Sequence, residues 1–259
     1  MNTDELAMMS GTKAYKPLPA FTLYPELSLK KNGKFYVTEY NPETKARDDR
    51  EATANETKGT IVKIRRKIMR FTGGTLDLSS HEYDTADAPI TLSDGTTRTE
   101  KEAKEDGAKV WRVLYFYATT GQVFKVAVSG HSLYNPDSTD LRLLNYLQEF
   151  ADNEYSFQYM TEIYATSETE GEVTWYNMAF RRHEKHAEEP LKLVAYKIKE
   201  VYEQCIDQDK QNAKRTPYSQ TNRPAPTQTI PQTTPPTSTA QRQGVKYPTE
   251  EVNPDDIPF

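Results

Sequence analysis

The chain has little of what secreted and membrane proteins usually carry. Its 259 residues include one cysteine, Cys205, so no intramolecular disulfide can form and a reducing compartment is expected. Residues 1–5 lack a basic segment followed by an apolar run, and no apolar stretch approaches bilayer length. We therefore expect a cytoplasmic protein.

Motifs for catalysis are equally scarce. The sequence Thr72-Gly73-Gly74-Thr75 lacks the Lys-Ser/Thr sequel of a phosphate-binding loop. Cys205 has no nearby histidine to activate it, which favours a small apolar residue of a helix over a nucleophile. His183 and His186 are three residues apart with no third ligand evident, which favours a charged junction over a metal site. We predict no catalytic activity, no metal and no cofactor.

The chain also lacks the excess of basic residues that is typical of nucleic-acid-binding proteins. Its net charge is −5. Residues 214–259 hold five Lys/Arg against four Asp/Glu, which leaves 28 Lys/Arg and 34 Asp/Glu, a net −6, in the rest of the chain. Any binding of nucleic acid must therefore depend on a local basic patch.

The last five residues combine two carboxylates with an apolar segment. Asp255 and Asp256 precede Ile257, Pro258 and Phe259. A pocket with an Arg or Lys at its lip could capture the ring and the terminal carboxylate of Phe259 together. An acidic terminus that only keeps the protein soluble would not require Ile257 and Phe259. We therefore predict that this tip binds a protein partner.

The segment before the tip is rich in Pro, Thr and Gln and cannot build a core. Seven prolines between residues 217 and 248 exclude a long helix. A flexible coil of about 40 residues spans roughly 35 Å. We predict a folded domain over residues 1–212, a disordered linker over 213–249 and the partner-binding tip over 250–259.

A local basic patch precedes the middle of the domain, and no acid interrupts it. Its cations are Lys58, Lys63, Arg65, Arg66, Lys67 and Arg70. β-Branched residues predict a long strand over 60–71, whose alternation puts three cations on one face and three aliphatic residues on the other. These sets are Lys63, Arg65 and Lys67, and Val62, Ile64 and Ile68. A solvated face, or an edge strand protected by charge, is the alternative to a nucleic-acid surface.

Aromatic strands follow the basic strand. Residues 109–117 and 122–128 flank a Thr-Thr-Gly turn and predict a β-hairpin, and two more strands are predicted at 156–166 and 172–182. Aromatic rings beside cations are the usual platform for unpaired bases, although alternation sends every second ring into the core. Trp111, Tyr115 and Tyr117 would share one face. Candidate contacts to single-stranded DNA are Lys63, Arg65, Arg66, Lys67, Arg70, Trp111, Arg112, Tyr115, Tyr117, Lys125, Tyr159 and Trp175.

Two helices and an insertion complete the predicted domain. Leu143, Leu147 and Phe150 have helical spacing after a Ser138-Thr139-Asp140 cap, and a last helix is predicted over 190–211, packed on the barrel or on another copy. A polar insertion, 77–107, is predicted as a mobile loop or a small hairpin. The element order is that of an OB-fold. We therefore predict a mainly β (α+β) fold: an OB-fold-like five-stranded barrel with an N-terminal extension, an insertion and a C-terminal helix, followed by a disordered tail.

Residues 255–259, Asp-Asp-Ile-Pro-Phe, resemble the C-terminal tip of the bacterial single-stranded DNA-binding protein (SSB) family, residue for residue. That family joins an OB-fold to a disordered tail with this ending. The resemblance implies a protein that coats and protects single-stranded DNA in replication, recombination and repair, and recruits partner proteins through its tip. About sixty residues precede the basic strand, unlike in ordinary family members. The chain therefore resembles a divergent, phage-type member of the family. The expected protein is a monomer or a homo-oligomer that acts in the cytoplasm of a bacterium or of an infected host.

The alternative hypothesis is an adaptor or structural protein that does not bind DNA and uses an SSB-like tip to engage host replication proteins. Its aromatic residues would then lie in a core or a protein interface. Tryptophan fluorescence distinguishes the two hypotheses, because stacking of Trp111 or Trp175 on an oligonucleotide would quench it.

Overall fold

The computed structural model describes residues 24–214, except residues 42, 43, 45 and 151–153. The chain divides into two units, Met1–Pro217 and Tyr218–Phe259, and the described residues all belong to the first. The predicted tip, and all of the predicted linker beyond residue 214, lie outside the described residues.

Strands dominate the described part of the chain, so the prediction of a mainly β fold is confirmed. Two 3₁₀ turns, Gly130–Ser132 and Ser156–Gln158, accompany the strands and helices. In chain order the elements are β1 (Glu26–Leu29), β2 (Phe35–Tyr40), β3 (Arg47–Glu51), β4 (Lys58–Thr72), β5 (Thr75–Ser79), β6 (Ile90–Thr91), β7 (Thr97–Arg98), α1 (Glu100–Glu105), β8 (Lys109–Ala118), β9 (Val123–Val128), α2 (Leu143–Gln148), β10 (Tyr159–Glu170), β11 (Val173–Lys185) and α3 (Glu188–Lys214).

Nine strands form one mixed sheet around the long strand β4. The order across the sheet is β11-β10-β4-β8-β9-β1-β2-β3, and β5 pairs with β4 beside this path. β4 pairs with β8 along most of its length and with β10 at Lys58 and Gly59. The pairing of β1 with β9 is parallel, and the others are antiparallel. The predicted basic strand, the hairpin β8–β9 and the strand pair β10–β11 are all confirmed.

The predicted five-stranded barrel is not closed. β11 and β3 are the two ends of the sheet path, and no strand pairing in the described ranges joins them. The N-terminal extension accounts for the difference, because β1 occupies the outer edge of β9 and β2 and β3 continue the sheet beyond it. Leu27 of β1 and Val37 of β2 are buried, so this extension is part of the folded core.

Helix α2 packs against β11 and is shorter than predicted. It begins after Arg142, which serves as the N-cap in place of the predicted Ser-Thr-Asp cap. The Arg142 side chain is buried and donates to Thr166 Oγ1 and to the Met178 carbonyl, which keeps the chain extended up to that residue. The Tyr146 ring packs against Phe180 of β11, with the ring centroids 5.8 Å apart.

The insertion folds as a small hairpin, β6–β7, followed by helix α1, so the hairpin alternative is confirmed. Thr99 and Glu102 form a capping box at the start of α1, a Thr-x-x-Glu pattern that is readable in the sequence. Ile68 of β4 anchors the insertion in a small apolar cluster. Its buried neighbours are Leu78, Ile90, Leu92, Ala103 and Ala108.

Helix α3 packs on one face of the sheet, which confirms the predicted last helix. It buries Val194, Val201 and Cys205 against four residues of the sheet, Val62, Val113, Tyr115 and Val123. The predicted position of Val62, on the other face from Lys63, is wrong. The pairing of β4 with β8 shifts register between Ile61 and Lys63, and this irregularity turns Val62 toward α3.

Candidate nucleic-acid interface

Lys63, Arg65 and Lys67 share one face of β4, and Trp111, Tyr115 and Tyr117 share one face of β8, as the alternation within each strand predicted. Residues directly opposite each other on paired strands point to the same side of a sheet. The register therefore places cations and rings side by side across three strands. The pairs of a cation and a ring are Lys63 with Tyr115, Lys67 with Trp111, and Lys125 with Tyr115, and Arg65 lies opposite Val113 between the first two.

Helix α3 covers one half of this face. Arg65 and Tyr115 are each only 1% exposed. The Tyr202 ring of α3 has its centroid 5.5 Å from Lys63 Nζ, and Lys197 Nζ of α3 lies 5.9 Å from the centroid of the Tyr117 ring. We call Lys63, Arg65, Tyr115, Tyr117 and Lys125 the covered face.

Arg65 joins the sheet to α3. Its Nη2 donates to both carboxylate oxygens of Asp209, at 3.0 and 2.9 Å, and to the Glu82 carbonyl at 2.9 Å. Its Nε donates to Asp84 Oδ1 at 3.2 Å. A buried guanidinium requires such anionic partners, because removal from water is otherwise very costly. In this arrangement Arg65 holds α3 in place and is not accessible to a phosphate.

The insertion supplies a second acid to the covered face. Glu82 accepts from the Tyr115 hydroxyl at 2.5 Å and from Lys125 Nζ at 2.7 Å. Burial alone would raise the pKa of Glu82, but the Lys125 charge and the two hydrogen bonds hold that pKa below its usual value. Burial and the neighbouring Glu82 charge raise the pKa of Tyr115 far above its usual value. Glu82 is therefore a carboxylate, and it neutralises the charge of Lys125.

Arg66 and Arg112 lie on the other face of the sheet, directly opposite each other. Arg66 Nε donates to Glu100 Oε2 at 3.0 Å, and the Tyr83 hydroxyl donates to the same oxygen at 2.7 Å. Arg112 is buried. Both arginines therefore lie beneath the insertion and away from the face that Lys63 and Lys67 share.

The remaining predicted contacts are separate from that face. Tyr159 and Trp175 lie on β10 and β11. Tyr159 is buried, and the Trp175 indole donates to Glu168 Oε2 at 3.0 Å. Arg70 pairs with Asp77, at 3.0 Å from Nε to Oδ2.

The far end of the face that carries Lys67 is open to solvent. Phe71 is 51% exposed and Leu76, its partner across the β4–β5 hairpin, is 46% exposed. The Phe71 and Trp111 rings lie 6.3 Å apart with their planes at 50°. Lys67 lies opposite Trp111, and Lys109 lies opposite Met69. We call Lys67, Phe71, Leu76, Lys109 and Trp111 the open-end patch.

Phe71, Leu76 and Lys109 were not among the contacts predicted from the sequence. The Thr-Gly-Gly-Thr turn after β4 signals a hairpin, but exposure at the tip of a hairpin depends on what packs around it. A second group that the sequence missed lies on β11, where cations cover aromatic rings. The contacts are Arg181 over Tyr164, Arg182 over Phe150 and Tyr159, and Lys185 over Tyr159. Arg181 and Lys185 also pair with Glu162 and Glu154.

The two histidines of the charged junction engage different partners. His183 Nε2 lies 3.0 Å from Glu162 Oε2, and His186 Nε2 lies 2.7 Å from Thr60 Oγ1. No group of three His, Cys, Asp or Glu side chains within the described residues could hold a metal ion. None of the helices in that part of the chain is both long and apolar enough to cross a membrane.

No protein-family model, no curated protein and no solved structure matches this chain. The five residues that resemble the SSB tip lie outside the described residues. Function is therefore inferred from the chemistry of this chain's own residues.

Proposed function

We propose that this protein binds single-stranded DNA through an OB-like body and recruits replication, recombination and repair proteins through its C-terminal tip. The observation that supports DNA binding best is the face shared by β4 and β8, where alternating cations and aromatic rings end in the open-end patch. Rings stack on bases of any sequence, and cations contact phosphates, so sequence-tolerant binding is expected.

Strand pairing around β4 favours an OB-like body. In an OB-fold the first strand pairs with both the second and the fourth, and a helix lies between the third and the fourth. Here β4 pairs with β8 and β10, and α2 lies between β9 and β10. The order β11-β10-β4-β8-β9 across the sheet supports this proposal, and β1 pairs with the edge of β9 that the closing strand of a barrel would occupy.

The tip is proposed to act separately from the body. Asp255 and Asp256 suit a basic rim on a partner, and Ile257 and Phe259 suit an apolar pocket inside that rim. A Pro-rich linker would let the tip search for a partner while the body remains on DNA.

The test is a titration of a fluorescent oligo-dT with the full chain at several salt concentrations, with a duplex of equal length as competitor. Each phosphate neutralised on a single strand contributes about −0.7 to the slope of log K against log salt. Contacts from Lys67 and Lys109 alone give a slope of about −1.4, whereas five contacts, with Lys63, Arg65 and Lys125 added, give about −3.5.

Binding that resists the duplex competitor and weakens with salt supports the proposal. A slope near about −1.4 indicates that α3 stays on the covered face when DNA binds. A slope near about −3.5 indicates that α3 leaves the covered face. No binding at low salt would contradict the proposal and favour the adaptor hypothesis.

A further inference from the structure

The face shared by β4 and β8 divides into two halves with different chemistry. In the covered face each cation has a carboxylate partner, namely Asp84 for Lys63, Asp209 for Arg65 and Glu82 for Lys125. In the open-end patch neither Lys67 nor Lys109 joins an ion pair with any described residue. The two halves lie on the same strands, so the difference arises from α3 and the insertion.

We infer that the open-end patch is the surface that stacks unpaired bases of single-stranded DNA, and that the covered face is a docking surface for α3. This inference rests on the proposed function and assigns it to particular residues. It adds Phe71, Leu76 and Lys109 to the binding surface and removes Arg65 and Tyr115 from it.

The shape of the patch suits a flexible single strand of DNA. The β4–β5 hairpin turns at Gly73 and Gly74, both with positive φ, and a Cβ atom at either position would meet no described atom within 4 Å. The turn of the hairpin therefore has open space around it, and Phe71 and Leu76 beside the turn are about half exposed. A single strand of DNA could approach these side chains without displacing any described element.

The chemistry of the patch suits unpaired bases. The Phe71 and Trp111 rings offer two adjacent apolar surfaces, and they are flanked by Lys67 and Lys109, which pair with none of the described acids. Aromatic rings take up the faces of bases, and lysines beside them take up phosphates. Both parts of a nucleotide therefore find a partner within one small surface.

A second copy of the chain fits the patch less well. Phe71 and Leu76 are about half exposed and Trp111 is partly buried, so the patch offers at most roughly 300 Å² of apolar surface, whereas a stable dimer buries about 800 Å² on each partner. Lys67 and Lys109 would also face their own copies across a symmetric contact, because a two-fold interface brings the same surface together. Charge complementarity therefore favours a polyanion as the occupant.

The experiment uses the full chain with Trp175→Phe, which leaves Trp111 as the sole indole. Oligo-dT should quench the Trp111 fluorescence. In the unsubstituted chain, Phe71→Ala should weaken oligo-dT affinity about 5- to 150-fold, the range expected for one stacking contact of about 1–3 kcal/mol. Tyr196→Ala is the matched control, because that ring is 65% exposed on α3 and outside the patch. It should leave the affinity unchanged.

The outcomes separate this inference from the proposed function. If the chain binds oligo-dT but Phe71→Ala and Tyr196→Ala have equal affinities and Trp111 is not quenched, the inference is wrong and the proposed function stands. If Phe71→Ala alters self-association in sedimentation and leaves DNA affinity unchanged, the patch is an interface between copies. If the unsubstituted chain does not bind oligo-dT at low salt, the proposed function itself fails.

Discussion

Asp209→Asn should loosen helix α3 from the sheet, because Asp209 is the carboxylate that α3 brings to the buried Arg65. The substitution removes the negative charge of a carboxylate whose two oxygens accept hydrogen bonds from Arg65 Nη2. A hydrogen bond to a charged group contributes about 1.5–3 kcal/mol, and breaking a fully buried ion pair costs about 3–5 kcal/mol. Asp209 is 45% exposed, and Asp84 still faces Arg65, so we expect about 1–2 kcal/mol.

Cys205 offers a direct assay of this change. It is the chain's sole cysteine, it is 3% exposed on the side of α3 that packs on the sheet, and burial raises the pKa of its thiol. A thiol reagent can reach it only when α3 opens, so the labelling rate reports the open population. A loss of about 1–2 kcal/mol should accelerate labelling roughly 5- to 30-fold.

Asp207→Asn is the control, since it makes the same chemical change two residues away. The Asp207 side chain is 70% exposed and lies 3.5 Å from Lys210. Such a surface change is expected to alter stability by less than about 0.5 kcal/mol, and labelling by less than about 3-fold. Equal labelling rates in the two variants would refute the conclusion that Arg65 and Asp209 hold α3. Urea unfolding of both variants separates local opening from global unfolding.

Two further predictions concern the tip and the acid stability of the body. Deletion of residues 255–259 should abolish capture of purified replication proteins while oligo-dT affinity stays equal or rises; a large fall in affinity would contradict the proposed division of labour. The Arg50 hydrogen bonds hold the pKa of Glu56 at about 2, against burial and below its ordinary value of 4.5. The stability that this pair contributes is complete above about pH 4.5 and is lost as the pH falls toward 2. Thermal unfolding should therefore show that Glu56→Gln destabilises the protein at pH 7 and scarcely at pH 2; a constant difference across that range would count against the pair.

Local patterns were sufficient to predict the elements around β4. Strand alternation, the Thr-Thr-Gly turn and the apolar spacing of the last helix are short-range signals, and the structure contains each of these elements. The N-terminal strands gave no such signal. β3, Arg-Asp-Asp-Arg-Glu, is exposed along its whole length and joins the sheet only through β2. Its presence depends on a pairing partner, which alternation within one segment cannot reveal.

The sequence predicted which residues of the candidate site share one side of the sheet, but not which of them are exposed. Period-two alternation correctly placed Lys63, Arg65 and Lys67 together, because that relation is set within one strand. What covers them is set by tertiary packing. The apolar side of α3 predicted that the helix would pack on something, but no local pattern paired Asp209 with Arg65, 144 residues away. The exposure of Phe71 likewise depends on where α3 and the insertion lie.

The most direct test of the central claim is ultraviolet crosslinking of the full chain to an oligonucleotide that carries 5-bromodeoxyuridine, with the adducts located by peptide mass spectrometry. If this protein binds single-stranded DNA at the open end of its sheet, the adducts should fall within residues 67–76 and 109–111 and should disappear with unlabelled oligo-dT as competitor. Adducts confined to β10 and β11, or no adduct at all at low salt, would contradict the account.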